Sequence, residues 1–243
     1  MKNKRIRGLF LGMMLLGLAI RVSAQTDTVK LGQPVSKYLK QSIVPVSLIG
    51  AGMFMKLHNT PLNDLSVKNS VTTNYPGFHT SVDDYLRFAS IPFLYGLDWV
   101  GVEAKTDVKN RTAILFKAEV IMFITTTLMK NTTHVIRPDG DGDKSFPSGH
   151  TAQAFLGAVM IQREYGHKSI WYPIGAYTVA TSVGVLRVMN NRHYTSDVLV
   201  GAGIGMLSAH IAYWTHRYKW NKKVVVMPMY SNRAAGIYFS MAF

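Results

Sequence analysis

The sequence predicts an all-α, multi-span helical bundle that ends in a C-terminal β-hairpin. Three observations carry that expectation. Five apolar segments, 85–102, 112–129, 152–161, 170–188 and 198–214, follow one another with short polar connections. Their apolar residues run round most of each helix instead of along one stripe, the pattern of helices buried in a large core or in lipid. Period-two, β-prone patterning is confined to the tail.

Taken in order, the chain opens with Lys2, Lys4, Arg5 and Arg7, an apolar run at 9–20, and the small residues Val22-Ser23-Ala24. That is the layout of a secretory signal peptide, with Arg21 favouring a retained signal anchor, so 1–24 is read as one or the other. The region 25–84 is polar apart from 43–57, an apolar stretch holding Pro45, Gly50 and Gly52. A span needs about 20 apolar residues, so 43–57 is expected to be interfacial or re-entrant. The stretch 58–84 reads as a loop with a turn at 74–77. The helical core is expected at 85–216. Inside it, Lys117, Glu119 and His210 are costly in lipid unless they face protein. The tail, 217–243, holds two β-prone runs, 224–230 and 237–243, flanking 231–236.

With 243 residues and no repeat or low-complexity tract, one domain is expected. The absence of cysteine excludes a disulfide framework and a thiolate metal site. The net charge of +14 includes five basic residues in the leader, so about +9 remains from Gln25 onward. No Lys/Arg stripe with interleaved aromatics occurs, which argues against nucleic acid and for lipid headgroups and phosphate as partners. The basic residues Lys105, Lys109 and Arg111, then Arg163 and Lys168, then Arg217, Lys219, Lys222 and Lys223 mark three connections as cytoplasmic. Five spans from Tyr85 then place the other connections outside, at the periplasmic face of an inner membrane.

Those other connections hold the chemistry. Lys130, Arg137 and Arg187 are fixed cations: a phosphoryl group in transfer spreads its charge over equatorial oxygens, and lysine plus arginine forks grip them from several sides. Ser148, just ahead of an apolar run, is a natural N-cap whose first helical turn offers free N–H groups to an anion, and Gly149 lets backbone approach it. His193 is the candidate nucleophile, because a neutral imidazole can carry a phosphoryl group as a covalent intermediate. Asp197, four residues on, would orient it. His150 is left for general acid and base work.

The alternating aspartates of the 139–143 loop suggest calcium, yet the twelfth position from Asp139 is His150 where a bidentate Glu is expected, which favours a tight polar turn. His58, His79, His134, His167, His210 and His216 lack metal-ligand spacing, and no metal or other cofactor is expected.

The three clusters, Lys130-(six residues)-Arg137-Pro138, Pro147-Ser148-Gly149-His150 and Arg187-(five residues)-His193-(three residues)-Asp197, resemble the signature of the type-2 phosphatidic acid phosphatase superfamily, which includes bacterial class A acid phosphatases and vanadium haloperoxidases. The resemblance implies phosphate binding by Lys130, Arg137, Ser148, Gly149 and Arg187, an acid at His150, a nucleophile at His193 and its orienting partner at Asp197. One position departs: the third motif normally starts Ser-Arg, and Leu186 precedes Arg187 here. The function implied is a metal-independent phosphatase that hydrolyses a lipid phosphate monoester or diphosphate. The alternatives are a secreted, soluble, non-specific acid phosphatase, favoured by a mean hydropathy of only +0.09, and a vanadium haloperoxidase. Neither the lipid nor the oligomeric state is legible.

Overall fold

The computed structural model describes residues 35–58, 63–218, 224–231 and 234–241. The expected leader at 1–24 lies outside them. Eight helices and one hairpin make up the described residues: α1 (Val35–Leu57), α2 (Asp64–Asn74), α3 (Val82–Leu86), α4 (Ser90–Trp99), α5 (Val108–Thr133), α6 (Gly149–Tyr165), α7 (Trp171–Met189), α8 (Thr195–Trp214), β1 (Val224–Ser231) and β2 (Ala234–Met241).

The N-terminal half holds more helix than the sequence reading gives it. The segment 43–57, expected to be interfacial or re-entrant, is the C-terminal part of α1, a 23-residue helix. At 1.5 Å per residue α1 is about 34 Å long, and it lies along α8. Its first turns hold Lys37, Tyr38, Lys40 and Gln41, which read as polar filler. They are helical because their polar atoms find partners or solvent: Gln41 Oε1 accepts from Trp214 Nε1 at 2.7 Å and from Arg163 Nη2 at 3.0 Å. The expected loop 58–84 contains α2, capped by Asn63, whose side chain accepts from Ser66 N at 2.8 Å. α2 has no buried residue, so no apolar face announces it. The turn at 74–77 stands as expected, with Tyr75 as C-cap and Gly77 at φ 72°.

The expected helix 85–102 is two, α3 and α4. Between them Phe88 N bonds Tyr85 O and Ala89 N bonds Leu86 O, both at 3.0 Å. These i→i+3 bonds tighten the path without ending it. The remaining helices follow the sequence reading closely. Asp107 caps α5 through Asn110 N at 3.1 Å, and His134 closes it in the left-handed region at φ 46°.

α8 is the centre of the bundle, and its glycines set how near its neighbours come. A Cβ at Gly205 would stand 2.0 Å from Ala152 O, and one at Gly201 would stand 2.4 Å from Ser148 O, both on the α6 side. On the α1 side a Cβ at Gly203 would meet Pro45 O at 2.6 Å. Backbones therefore touch where side chains would separate them, as at small-residue interfaces between membrane helices. Around that axis Leu156, Val159, Met160, Ile161, Val200, Ala209 and Ala212 are fully buried.

Among the described residues, two helices, α5 and α8, are long and apolar enough to cross a membrane. They differ in what they face. α8 is mostly enclosed by protein, whereas α5 turns Phe116, Phe123, Ile124 and Leu128 outward. The polar residues questioned in the sequence face protein: Lys117 Nζ donates to Thr215 O at 3.3 Å, Glu119 accepts from Gln153, and His210 stacks on Trp214 at 5.8 Å.

The tail forms the expected hairpin. β1 and β2 pair antiparallel, with Val224 opposite Met241 and Ser231 opposite Ala234. β2 begins three residues earlier than the β-prone run suggests, so the loop is shorter than 231–236.

Candidate active site

The three motifs come from the C-terminal end of α5, the N-terminal end of α6, and the connection from α7 to α8, and all meet at one end of the bundle. His193, in the last connection, is 3% exposed. Its backbone N–H donates to Arg187 O at 3.2 Å, which folds the third motif back on itself. Its Nδ1 lies 3.6 Å from Asp197 Oδ2. That contact comes from the start of α8 and not from a helical turn through His193. Asp197 sits in the first turn, where Oδ2 accepts from Tyr194 N at 2.9 Å. The hydroxyl of Ser145 joins the pair, donating to Asp197 Oδ2 and lying 3.4 Å from His193 Nδ1. Burial pushes the His193 pKa down against the opposing pull of Asp197, which favours the neutral ring.

Ser148 caps α6 as the sequence suggests, accepting from Thr151 N at 3.4 Å, and its own N–H donates to Asp197 O at 2.9 Å. Its hydroxyl is also 2.9 Å from Thr151 Oγ1, so the side chain is spent on the cap. Gly149 opens the helix, and a Cβ there would meet nothing within 4 Å. The peptide Phe146-Pro147 just before the cap is cis.

Arg187 is buried, and its Nη1 donates to Asp83 Oδ2 at 2.7 Å. Asn190 Nδ2 donates to the other oxygen of Asp83 at 2.9 Å. Among the described residues the Arg137 side chain has one ion pair, to Asp141 at 3.9 Å. In both arginines Nε is buried with no hydrogen-bond partner among the described residues. Buried donors are almost always satisfied, so these two guanidinium N–H groups are open to an acceptor at this end, as the Nε groups of Arg111 and Arg163 are elsewhere. Lys130 Nζ donates to Lys144 O at 2.7 Å and interacts electrostatically with Arg137, Arg187 and Asp197.

His150, in the first turn of α6 ahead of the apolar run 152–161, bonds Asp84 Oδ1 through Nε2 at 2.6 Å. Arg87 Nη1 lies 3.4 Å from its Nδ1. Burial, followed by the charge of Arg187, lowers its pKa to about 4, while Asp84 opposes that shift. The same hydrogen bond holds the Asp84 carboxyl below its ordinary range. Asp83, Asp84 and His150 bring potential ligand atoms within 4.8 Å of one another, but each already has a partner in Arg187, Asn190 or its neighbour.

Sequence reasoning missed Asp83, Asp84, Arg87, Ser145, Asn190, Lys56 and Asp64. Lys56, at the end of α1, lies 3.4 Å from Asp197 Oδ1 and 3.3 Å from Asp64 Oδ2. Asp64 in turn accepts from Ser196 N at 2.9 Å. The adjacent pair Asp83-Asp84 ahead of an apolar run was the one visible signal. Nothing in spacing linked Lys56 to the third motif. The acidic 139–143 loop serves as a tie: Asp139 and Asp141 each accept from Arg192 at 2.9 Å, and Asp143 bonds His134 at 2.6 Å. Its carboxylates are thus spent on basic side chains, as a polar turn requires. Leu186, where the family pattern has Ser, lines an apolar hollow on α7 with Val185 and Gln162.

Residues 112–221 match the sequence model of the PAP2 superfamily. This segment belongs to the PAP2 superfamily. It contains all three motifs and helices α6 to α8. The lipid A 1-phosphatase of Porphyromonas gingivalis is 35% identical over 154 residues, covering 62% of this chain and 34% of that protein. The chain thus spans about a third of the length of that curated relative. Among solved structures, Aquifex aeolicus LpxE aligns with a TM-score of 0.47 at 21% identity, over 61% of this chain and 93% of that one. The first transmembrane PAP2 type phosphatidylglycerolphosphate phosphatase from Bacillus subtilis aligns at 0.45 and 18%, over 70% and 94%.

Proposed function

We propose that this PAP2 chain is a metal-independent lipid phosphatase working through a phosphohistidine at His193. The observation that carries the reading is a buried His193 backed by Asp197 at the end where Arg137 and Arg187 each keep an unpartnered buried Nε. The similarity to a lipid A 1-phosphatase supports a phosphorylated lipid as substrate, and the outward apolar face of α5 supports a membrane setting.

In this account the phosphate lies against the Gly149 end of α6, held by Lys130, Arg137, Arg187 and backbone N–H groups of the first turn. Ser148 contributes by shaping that turn. Neutral His193 attacks phosphorus through Nε2 while Asp197 and Ser145 fix Nδ1. The P–O bond to the lipid breaks, and His150 delivers its proton to the leaving oxygen. Water then attacks the phosphohistidine with His150 as base, the P–N bond breaks, and inorganic phosphate leaves. A bound phosphate dianion would offset the charge of Arg187, raising the His150 pKa towards the range where it can donate.

The two ends of the bundle support one membrane orientation. The catalytic end collects the termini of α1, α5, α6, α7 and α8, while among the described residues the basic side chains at 105–111, 163–168 and 216–217 gather at the other. We place the basic end in the cytoplasm and the catalytic end in the periplasm. Reporter fusions after Asp84 and after Arg111 should signal outside and inside respectively, and reversed signals would overturn the placement. The function itself is tested by phosphate release from detergent-purified protein, with chelator present, across lipid A, phosphatidic acid, phosphatidylglycerol phosphate, undecaprenyl diphosphate and a soluble aryl phosphate. Preference for one lipid supports the proposal. Best activity on the soluble ester would favour a broad acid phosphatase, and loss in chelator would overturn the histidine mechanism.

A further inference from the structure

At the end of the bundle opposite the catalytic histidines, a cleft of about 440 Å³ opens between the first turns of α1 and the ends of α6 and α8. The length of α8, 20 residues, separates it from the active site by about 30 Å. Lys37, Lys105, Arg163 and His216 line it together with rings of Tyr38 and Trp214. Its walls are built. Arg163 is held by Gln41 Oε1 at 3.0 Å and lies over the Tyr213 ring at 5.1 Å, with its buried Nε unpartnered among the described residues. Lys105 is brought in by a backbone bond from its N–H to Glu164 O at 3.1 Å. His216 is fixed by Asn110 Oδ1 at 2.7 Å, and Tyr38 meets Trp214 edge-on at 5.3 Å.

The acidic groups near the cleft are committed elsewhere. Glu164 accepts from Thr106 N, Thr106 Oγ1 and Tyr213 Oη, and Asp107 caps α5. No described salt bridge reaches Arg163 or Lys105. A positive pocket with a preset guanidinium, floored by aromatic rings and set at a helix-bundle end, has the chemistry of an anion site. Tyr and Trp beside Lys and Arg is also the composition found where membrane meets water.

We propose that this cleft binds the phosphate of an anionic lipid headgroup from the leaflet facing the basic end, a second lipid site remote from catalysis. The lipid source rests on the membrane reading above; the phosphate chemistry does not.

The test uses the full chain in detergent carrying His193→Ala, with lipid retention read by native mass spectrometry. Phosphatidylglycerol is the probe, because it is a phosphodiester and is not a substrate for phosphomonoester hydrolysis. Phosphatidylcholine and inorganic phosphate are run beside it. The expected result is one phosphatidylglycerol retained, no phosphatidylcholine, and retention about tenfold weaker when Arg163→Gln removes one charge-assisted contact. Lys105→Gln, at an exposed position, should weaken retention in the same direction and keeps the test sound if Arg163→Gln melts early. Equal phosphatidylglycerol retention by the parent and both variants would overturn the site. Arg163-dependent retention of inorganic phosphate without lipid would overturn the lipid source. Failure of the phosphatase reading would instead show as no turnover in the protein with His193 intact, leaving retention readable.

Discussion

The two ends of the same bundle differ in how they hold their exposed and their buried positive charge. At the catalytic end acidic groups back most of the basic side chains: Arg187 pairs with Asp83, His150 with Asp84, Lys56 with Asp64 and Asp197, and Arg192 with Asp139, while Lys130 donates to a backbone carbonyl. At the basic end fully buried Arg111 is likewise paired, with Asp98, whereas Arg163 leans on an amide and a ring. A desolvated charge without compensation is expensive, so a site that must hold cations deep in the fold needs built-in acids until substrate arrives. A shallow cleft near water does not. Acidic pairing therefore follows burial at both ends, and at the catalytic end the unpartnered Nε atoms of Arg137 and Arg187 stand open to substrate.

That contrast can be broken in graded steps. The largest effect should come from His193→Ala, which removes the attacking nitrogen: turnover should fall by at least about a thousandfold, measured as phosphate release, with the phosphoenzyme lost. Next, His150→Ala should slow hydrolysis by ~10²–10⁴-fold for poor leaving groups and less for good ones, because only poor ones need the proton. A comparison of alkyl and nitrophenyl phosphates reads this, and an equal loss for both would remove the acid role.

Smaller again is Gly201→Ala. Its Cβ would press on Ser148 O, so thermal melting should show a destabilisation of about 1–3 kcal/mol. Because Ser148 caps the phosphate-facing helix, turnover should fall as well, whereas Gly203→Ala, against α1, should cost stability with less effect on turnover.

The smallest effect concerns proton affinity. Asp84 raises the His150 pKa through its hydrogen bond and charge. Asp84→Asn weakens both, so His150 loses its proton at lower pH. The basic limb of kcat/KM, where the acid must still be protonated, should move to lower pH by up to about one unit, given that Asp84 is half exposed. A shift to higher pH would contradict the pairing.

The helical core was legible in the sequence, and the eight residues singled out for the site come together at one end of the bundle, because each motif is a short cluster at the end of a strongly apolar run. Where it fell short, the missing information was long-range. Lys56 and Asp197 are 141 positions apart, and Thr80 pairs with Asn190 across 110, so no local pattern could join them. α2 was hidden because it buries nothing, and α1 because its polar first turns serve Arg163 and Trp214 and not solvent alone. The break between α3 and α4 turns on two tightened hydrogen bonds that the apolar pattern does not encode. Asp83 and Asp84 fell at the edge of a stretch read as loop, although they hold the charged side chains of two motifs.

The most direct measurement is a rapid acid-free quench of wild-type protein during turnover of a phosphorylated lipid, followed by peptide mass spectrometry for a phosphate on histidine. The account predicts a phosphohistidine at His193, accumulating in His150→Ala with substrates of good leaving ability and missing in His193→Ala. Full turnover with no adduct at His193, or an adduct on another residue, would contradict it.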